Sequence, residues 1–432
     1  MKTTYIQPIR QMSLYIILSI LCVSASWAHE LKNASFSEFL ISEFIEFNGR
    51  VVDSQTGNGI ASAHISIYGS NISTVTNSDG YFSLKVPDDM LKANVTISFL
   101  GYKSKTISLS SFSTENNRIE LEESVEELSE VNIFKGGNAR GLVKTMLDNR
   151  DSNYLNEPTH MKAFYRETIR RGRRNVSLSE AVVDIYKQAY STKKKDDIAL
   201  FKARKSTDYK RLDTLALKLR GGPFNTLYVD VMKYTEFVFQ PNELDRYKFS
   251  FDQPTKINNR YIYVIDFSEI NHDDPWYYGK LYIDAENSTL VRATYKLNVQ
   301  NRLAASEMFV KSKPKRAKVY PVDVSYQVDY RESNGKWYYS YGNALLEFVV
   351  NWKHKLFNSH FTINSEMVIT DWAPISSTVK PSGDFIKPSV IMVDDVSGFR
   401  DTDFWGDTNI IEPEKSIQNA IEKIQRQLKR NE

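Results

Sequence analysis

Apolar residues recur at every second position in a long series of short runs, and this period constrains the fold more than any other feature. The first runs are Ile65 and Ile67; Phe82, Leu84 and Val86; Val95, Ile97 and Phe99; Ile107 and Leu109; Ile119 and Leu121. A period of two buries one face of a strand, whereas a helix needs a period near 3.6. Turn residues separate the runs: Asp53 to Gly59, Gly69 to Ser73, Ser78-Asp79-Gly80, Pro87-Asp88-Asp89 and Gly101. Short strands at this spacing predict a β-sandwich over residues 47–122. Asp79 is read as the residue preceding a turn glycine rather than as a ligand, because Gly80 supplies the positive φ that such a turn needs.

Beyond Pro158 the alternation returns and persists to about residue 380. The runs are Met161–Arg170, Val176–Tyr190, Ala199–Ala203, Tyr247–Phe251, Tyr261–Phe267, Gly279–Ile283, Leu290–Leu297, Met308–Lys311, Val322–Tyr330, Trp337–Val350 and Phe361–Thr370. Asn334-Gly335 is a two-residue hairpin signal, and Asp284 to Ser288 joins two other runs. Short turns between neighbours predict an antiparallel meander curling over a concave face, not a βαβ array. Helical spacing is confined to Leu142, Val143, Met146 and Leu147 and to Ile417, Ile421, Ile424 and Leu428. The charged helical tail argues against a transmembrane barrel, which would end in a closing strand.

The fold class is therefore mainly β: a sandwich, then a larger half-barrel-like meander with a few helices. The divisions are a signal peptide at 1–28, the sandwich at 47–122, an acidic linker and helix at 123–157, the β-rich domain at 158–380, an acidic connector at 381–412 and an amphipathic helix at 413–432. The signal reading rests on Lys2 and Arg10, the apolar run Met12–Val23 and Ser24-Ala25-Ser26-Trp27-Ala28, with cleavage before His29. That run is too short for a membrane span, which needs about 20 residues. Lipidation at Cys22 is disfavoured by Leu21 before it. Cys22 is the single cysteine, so the exported chain has no thiol chemistry and no disulfide. Losing Lys2 and Arg10 lowers the net charge from +3 to +1, leaving no general field to draw nucleic acid.

Gly49-Arg50-Val51-Val52-Asp53, Gly57 to Ile60 including Gly59, Ala63-His64-Ile65-Ser66-Ile67, Asn77-Ser78-Asp79-Gly80-Tyr81-Phe82-Ser83-Leu84 and Phe99-Leu100-Gly101-Tyr102-Lys103 resemble the carboxypeptidase regulatory-like domain, a transthyretin-like sandwich. The resemblance implies structural roles for Gly49, Asp53, Gly59, Asp79, Gly80, Phe82, Gly101 and Tyr102. It implies no peptidase, because the domain is an accessory in those enzymes. Relatives carry an acidic then apolar segment after the sandwich, as Glu120 to Ile133 does here, and the same sandwich precedes the plug of TonB-dependent receptors. Tyr277 to Asp284, followed by Leu290-Val291-Arg292-Ala293, is similar to the half-barrel of periplasmic lipoprotein carriers. With Asn153-Tyr154, Phe164 to Glu167 and Asp403 to Gly406, the chain resembles envelope proteins that pair this sandwich with a β-rich domain of unassigned function.

No zinc spacing links His64, His160, His272, His354 and His360, and neither a Gly-x-Ser-x-Gly elbow nor a phosphate-binding Gly-rich loop occurs. Asp273-Asp274 and Asp394-Asp395 are read as solvated turns. Asp401, Asp403, Asp407 and Glu412, with Gly406 and Asn409, fall at calcium-loop positions, but Trp405 breaks the fifth and no helix enters. The simpler reading is an acidic connector leading into the last helix. Arg170-Arg171-Gly172-Arg173-Arg174 is read as an exposed hairpin tip that can also meet lipid phosphates. The aromatic triplets Tyr261-Ile262-Tyr263, Trp276-Tyr277-Tyr278 and Trp337-Tyr338-Tyr339 are read as core, with an apolar groove for an acyl chain or glycan as the alternative.

The expected function is that of a non-enzymatic envelope protein in the periplasm or at the outer-membrane periphery of a Gram-negative bacterium. Its sandwich would meet a protein partner, and its meander a lipid or glycan. No cofactor, metal, nucleic acid or membrane span is expected. An accessory of TonB-dependent transport is the second reading, and an envelope hydrolase with a site assembled only by folding is the third.

Overall fold

The structure, a computed structural model, describes residues 44–124, 138–208, 221–239, 241–257, 260–271, 273, 275–309, 316–353, 356–375, 381–392, 395, 397–401 and 403–430. The signal peptide, Cys22, His29, the apolar end of the acidic segment, His272, Asp274, His354 and Asp394 lie outside these residues. No helix among the described residues is long and apolar enough to cross a membrane.

The protein is mainly β. Its first module stacks two sheets. One has the order β4-β1-β7, from Tyr81–Pro87, Phe44–Asp53 and Asn117–Leu121; the other has the order β3-β2-β5-β6, from Ser73–Val75, His64–Ile67, Asn94–Ser98 and Lys105–Ser108. The alternating residues read from sequence meet between them: Ile65, Ile67, Phe82, Leu84, Val86, Val95, Ile97, Ile119 and Leu121 form one core. Burying each contributes about 1.5–3 kcal/mol, the main force holding so small a sandwich together.

The second module is one antiparallel sheet of eleven strands. In chain order these are β8 (Thr159–Arg171), β9 (Arg174–Lys187), β10 (Asp197–Thr207), β11 (Tyr247–Ile257), β12 (Arg260–Glu269), β13 (Tyr277–Asp284), β14 (Leu290–Leu297), β15 (Ala317–Ser333), β16 (Lys336–Trp352), β17 (Ser359–Pro374) and β18 (Asp384–Ile386). Seven consecutive strands, β11 to β17, form a meander whose last strand pairs with β8, so that β8, β9 and β10 extend the same sheet. β11 and β18 are its edges, and it does not close into a barrel. Asn334 and Gly335 turn β15 into β16 with φ of 52° and 76°, the left-handed pair of a tight hairpin.

Two expectations are corrected. The sequence predicts a strand at Met308–Lys311, but Met308 and Phe309 end the helix Arg302–Phe309; three apolar residues in a row cannot separate the two periods. The acidic connector also contributes β18, which pairs with β10 through Ile198 and Ile386.

Each face of the large sheet is covered by the chain itself. On one, the helix Ala139–Asp148 buries Leu142, Val143 and Met146, and the segment 221–246 buries Phe224, Leu227, Met232 and Phe239 against Ala163, Val183, Ile265, Leu281 and Met367. On the other, Val75 of the sandwich meets Phe164, Val182, Tyr341 and Val368 together with Trp405 and Ile411 of the connector. The last helix, Lys415–Arg430, lays Ile417 and Ile421 on Leu178 and Phe399. Residues Phe44–Glu432 thus form one compact unit.

Candidate functional site

The densest chemistry lies on the face covered by segment 221–246. Lys187 ends β9 pointing into that layer, where its Nζ is 3.0 Å from Asp196 Oδ2 and 2.8 Å from Asp230 Oδ2. Asp230 also accepts from the hydroxyls of Tyr190 at 2.9 Å and Tyr330 at 2.8 Å, and Asp196 from Tyr234 at 2.7 Å. The rings of Tyr190, Tyr234 and Tyr339 surround the ammonium at 4.9 to 5.9 Å. Burial works against the charge on Lys187, but its two carboxylates outweigh it and the amine is held above its ordinary pKa. Beside it, Lys233 donates to the carbonyls of Ala189 and Thr192 at 2.7 and 2.9 Å, and burial pushes its pKa down to about 8. Burial likewise holds the phenols of Tyr190 and Tyr330 well above their usual range. These residue types can move protons, yet Lys187, Asp196 and Asp230 are shut from water and bonded to one another. The arrangement is a lock fastening residues 228–234 to β9.

A second buried network fastens the connector to the opposite face. Glu180 accepts from Arg166 Nε and from Arg204 Nε, each at 2.8 Å. Arg166 also donates to the carbonyl of Ile411 at 2.8 Å. Arg204 donates to that of Gly398 at 3.2 Å and lies 4.5 Å from the Phe399 ring and 5.0 Å from that of Trp405. Burial raises the pKa of Glu412 to about 7, against the pull of Arg166.

Asp401, Asp403, Asp407 and Glu412 do not gather as metal ligands, and no cluster of three or more His, Cys, Asp or Glu among the described residues does so. Lys85 of the sandwich instead reaches among them: its Nζ donates to the Gly406 carbonyl, and burial lowers its pKa against the pull of Glu46, Asp403, Asp407 and Glu412. Asn409 completes the junction, its amide accepting from Lys85 N at 2.7 Å and donating to Lys85 O at 3.2 Å.

The sandwich residues singled out in sequence do structural work. Gly80 has φ +84°, and a Cβ there would lie 2.5 Å from the Val51 carbonyl; one on Gly59 would lie 2.0 Å from that of Asp79. Gly49 packs as closely on the Asn117 carbonyl, Phe82 is core, and Gly101 donates its N–H to Lys256 on the edge strand β11 at 2.9 Å. The turn-forming side chain is Asn77, not Asp79, since its Oδ1 accepts the N–H groups of Asp79 and Tyr81 at 3.0 and 2.9 Å. Asp53 accepts the Thr56 N–H at 2.6 Å, the chief cause of its lowered pKa, and the Tyr102 hydroxyl at 3.1 Å. Burial and that carboxylate push the Tyr102 phenol up to about 12.

The described histidines stay apart. His64 is buried at the sandwich–sheet junction, 3.5 Å from Asp329, and burial lowers its pKa. His160 meets Asp184 at 2.8 Å, and His360 is exposed on β17. Of the aromatic triplets, Ile262, Trp337, Tyr338 and Tyr339 are core, while Tyr261 and Tyr278 face water.

Residues 47–133 match the family described as CarboxypepD_reg-like domain. The sandwich is a CarboxypepD_reg-like domain. A putative outer membrane lipoprotein-sorting protein domain from Vibrio parahaemolyticus is 8% identical with a TM-score of 0.26, covering 56% of this chain and 94% of its own. A DUF1329 family protein from Desulfovibrio piger is 10% identical with a TM-score of 0.22, covering 56% and 96%. A LolA superfamily protein from Nitrosomonas europaea is 9% identical with a TM-score of 0.19, covering 54% and 94%. No curated protein matches the chain.

The two networks escaped sequence reading because their members are scattered: Lys187, Asp196 and Asp230 come from three segments, and Arg166, Glu180 and Arg204 from three strands. The one available signal was charge inside strand runs, where Arg166, Glu180 and Lys187 interrupt otherwise apolar stretches.

Proposed function

We propose that this is an exported, non-catalytic protein of the cell envelope that acts by binding, in the periplasm or at the outer-membrane periphery. The observation that carries the reading is the lock on the covered face: Lys187, Asp196 and Asp230 spend their hydrogen bonds on holding segment 221–246 in place. A general base or nucleophile needs access to substrate, and these groups have none. The same segment fills the apolar layer in which a lipid or glycan was expected, so binding falls to the outer surfaces of the compact unit. The sandwich supports this as part of that unit, joined to the sheet by Asn71, which donates to the Trp372 carbonyl at 2.8 Å, and by Ser73, which donates to that of Ile369 at 3.1 Å, and to the connector by Thr74, which donates to the Ile410 carbonyl at 2.9 Å.

The test is to incubate the purified exported chain with peptide and ester substrates, with and without added zinc or calcium. No turnover is expected. Metal-dependent hydrolysis that survives Lys187→Met and Asp230→Asn but not chelation would overturn the reading.

A further inference from the structure

At one end of the large sheet three connections come together. Arg171 pairs with Phe361, Val350 with Ser359 and Ala317 with Trp352, so the β8–β9 turn, the β16–β17 turn and the entry to β15 share that end. Arg173 and Arg174 are exposed on the first turn, Lys353 on the second, and Arg316 and Lys318 at the third. Residues 168–176, 316–322 and 350–361 contain no Asp or Glu. Of the nearby acids, Asp323 is paired with Lys296 at 3.1 Å, Glu347 lies opposite Asp323 on β16, and Glu307 lies on the adjoining helix. The whole chain carries only +3, so this is a local concentration of cations.

In its midst stand two large apolar side chains, Leu356 and Phe357, which are 97% and 84% exposed. The adjoining helix adds Leu303, 74% exposed. The Asn334-Gly335 turn at the other end of the sheet has only Ser333 and Lys336 beside it. A cleft of about 840 Å³ opens between the β8–β9 turn and the last helix, lined by the cations Arg173, Arg174 and Lys423 and by one carboxylate, Asp208.

We propose that this end of the sheet docks on an anionic lipid bilayer. Leu356 and Phe357 enter the boundary between headgroups and acyl chains, and the surrounding arginines and lysines meet lipid phosphates, with the cleft admitting a headgroup. Apolar tips ringed by cations suit such a surface because the two contributions act together: insertion buries what water exposes, and the negative surface potential draws the cations. The arginine fork matches phosphate oxygens in pairs. A soluble polyanion would account for the cations but not for the apolar pair. Docking depends on the binding function proposed above for its compartment alone, so turnover of a substrate and binding to vesicles are separately measurable.

The experiment is flotation of the chain starting at His29 with vesicles of phosphatidylethanolamine and phosphatidylglycerol, against vesicles of phosphatidylcholine. Binding to the anionic vesicles that weakens with salt is expected. Each exposed cation contributes about fivefold, so Arg173→Ser with Arg174→Ser should weaken binding by roughly 30-fold. Leu356→Ser with Phe357→Ser should weaken it by more than about tenfold, while the urea midpoint stays put for both pairs. The chain starting at His29 contains no cysteine, so Phe357→Cys gives it a single thiol for an environment-sensitive fluorophore, which should shift to the blue on anionic vesicles. Equal binding to both vesicle types, full binding after loss of Leu356 and Phe357, or binding to dextran sulfate with none to vesicles would each overturn the proposal.

Discussion

Lys187 shows how a single residue can look catalytic and be structural. A buried ammonium survives only where opposite charges and hydrogen bonds replace its water, and removing one partner leaves the rest uncompensated. Lys187→Met should therefore lower stability by about 3–5 kcal/mol in urea denaturation, because Asp196 and Asp230 lose their shared cation. A loss below about 1 kcal/mol would mean that the network does not hold the segment. At Glu412 burial outweighs the nearby arginine, and the neutral form is favoured. Its pKa is raised from 4.5 to about 7 by burial, so the folded protein holds this proton more tightly than the unfolded chain. Stability from this group is present below about pH 4.5 and declines as pH rises toward 7. Glu412→Gln should flatten that decline and stabilise the protein at pH 8 by about 1–2 kcal/mol, as read from urea midpoints across the pH range.

Segment 221–246 is the element whose role was least expected. Its described residues contain one turn of α-helix, Phe224–Leu227, and short 3-10 turns, yet they bury Phe224, Leu227, Met232 and Phe239. A loosely held lid would tolerate truncation of such side chains, whereas a core element would not. Phe239 packs on the rings of Phe267 at 4.9 Å and Tyr247 at 5.6 Å, so Phe239→Ala should cost about 3–5 kcal/mol. Hydrogen exchange at Met232 and Tyr234 should be as slow as in the neighbouring strands; fast exchange there with global stability intact would mark the segment as a lid.

At the scale of the molecule, the sandwich and the sheet should unfold together. Every tryptophan in residues 44–432 lies beyond the sandwich, at 276, 337, 352, 372 and 405. With Trp405, which packs with Val75 of the sandwich, replaced by phenylalanine, emission reports the sheet, and exchange at Val51 or Ile65 reports the sandwich; their urea midpoints should coincide. The junction should also be sensitive to mild acid. His64 is buried with Asp329, Arg292 and Arg331 facing it, and its folded pKa lies below 6.5, so the unfolded chain binds its proton first. Stability is thus full above about pH 6.5 and falls as pH drops through that value. His64→Gln should remove this loss, as read from midpoints between about pH 5 and 7. Asp329 acts in a lower window, because Arg292 outweighs burial and holds its pKa down to about 2.

The sequence by itself determined the sandwich and most strands of the sheet, because a period of two and a turn dipeptide such as Asn334-Gly335 are local signals that act over a few residues. It also marked Arg170 to Arg174 as a hairpin tip. Only the tertiary structure decided that the sandwich is fixed to the sheet, that the acidic connector takes up Lys85, and that segment 221–246 fills the apolar layer. It alone put Leu356 and Phe357 beside the arginines, across more than 180 residues of chain. Such pairings depend on strand register between distant segments, and no period within a single segment carries that information.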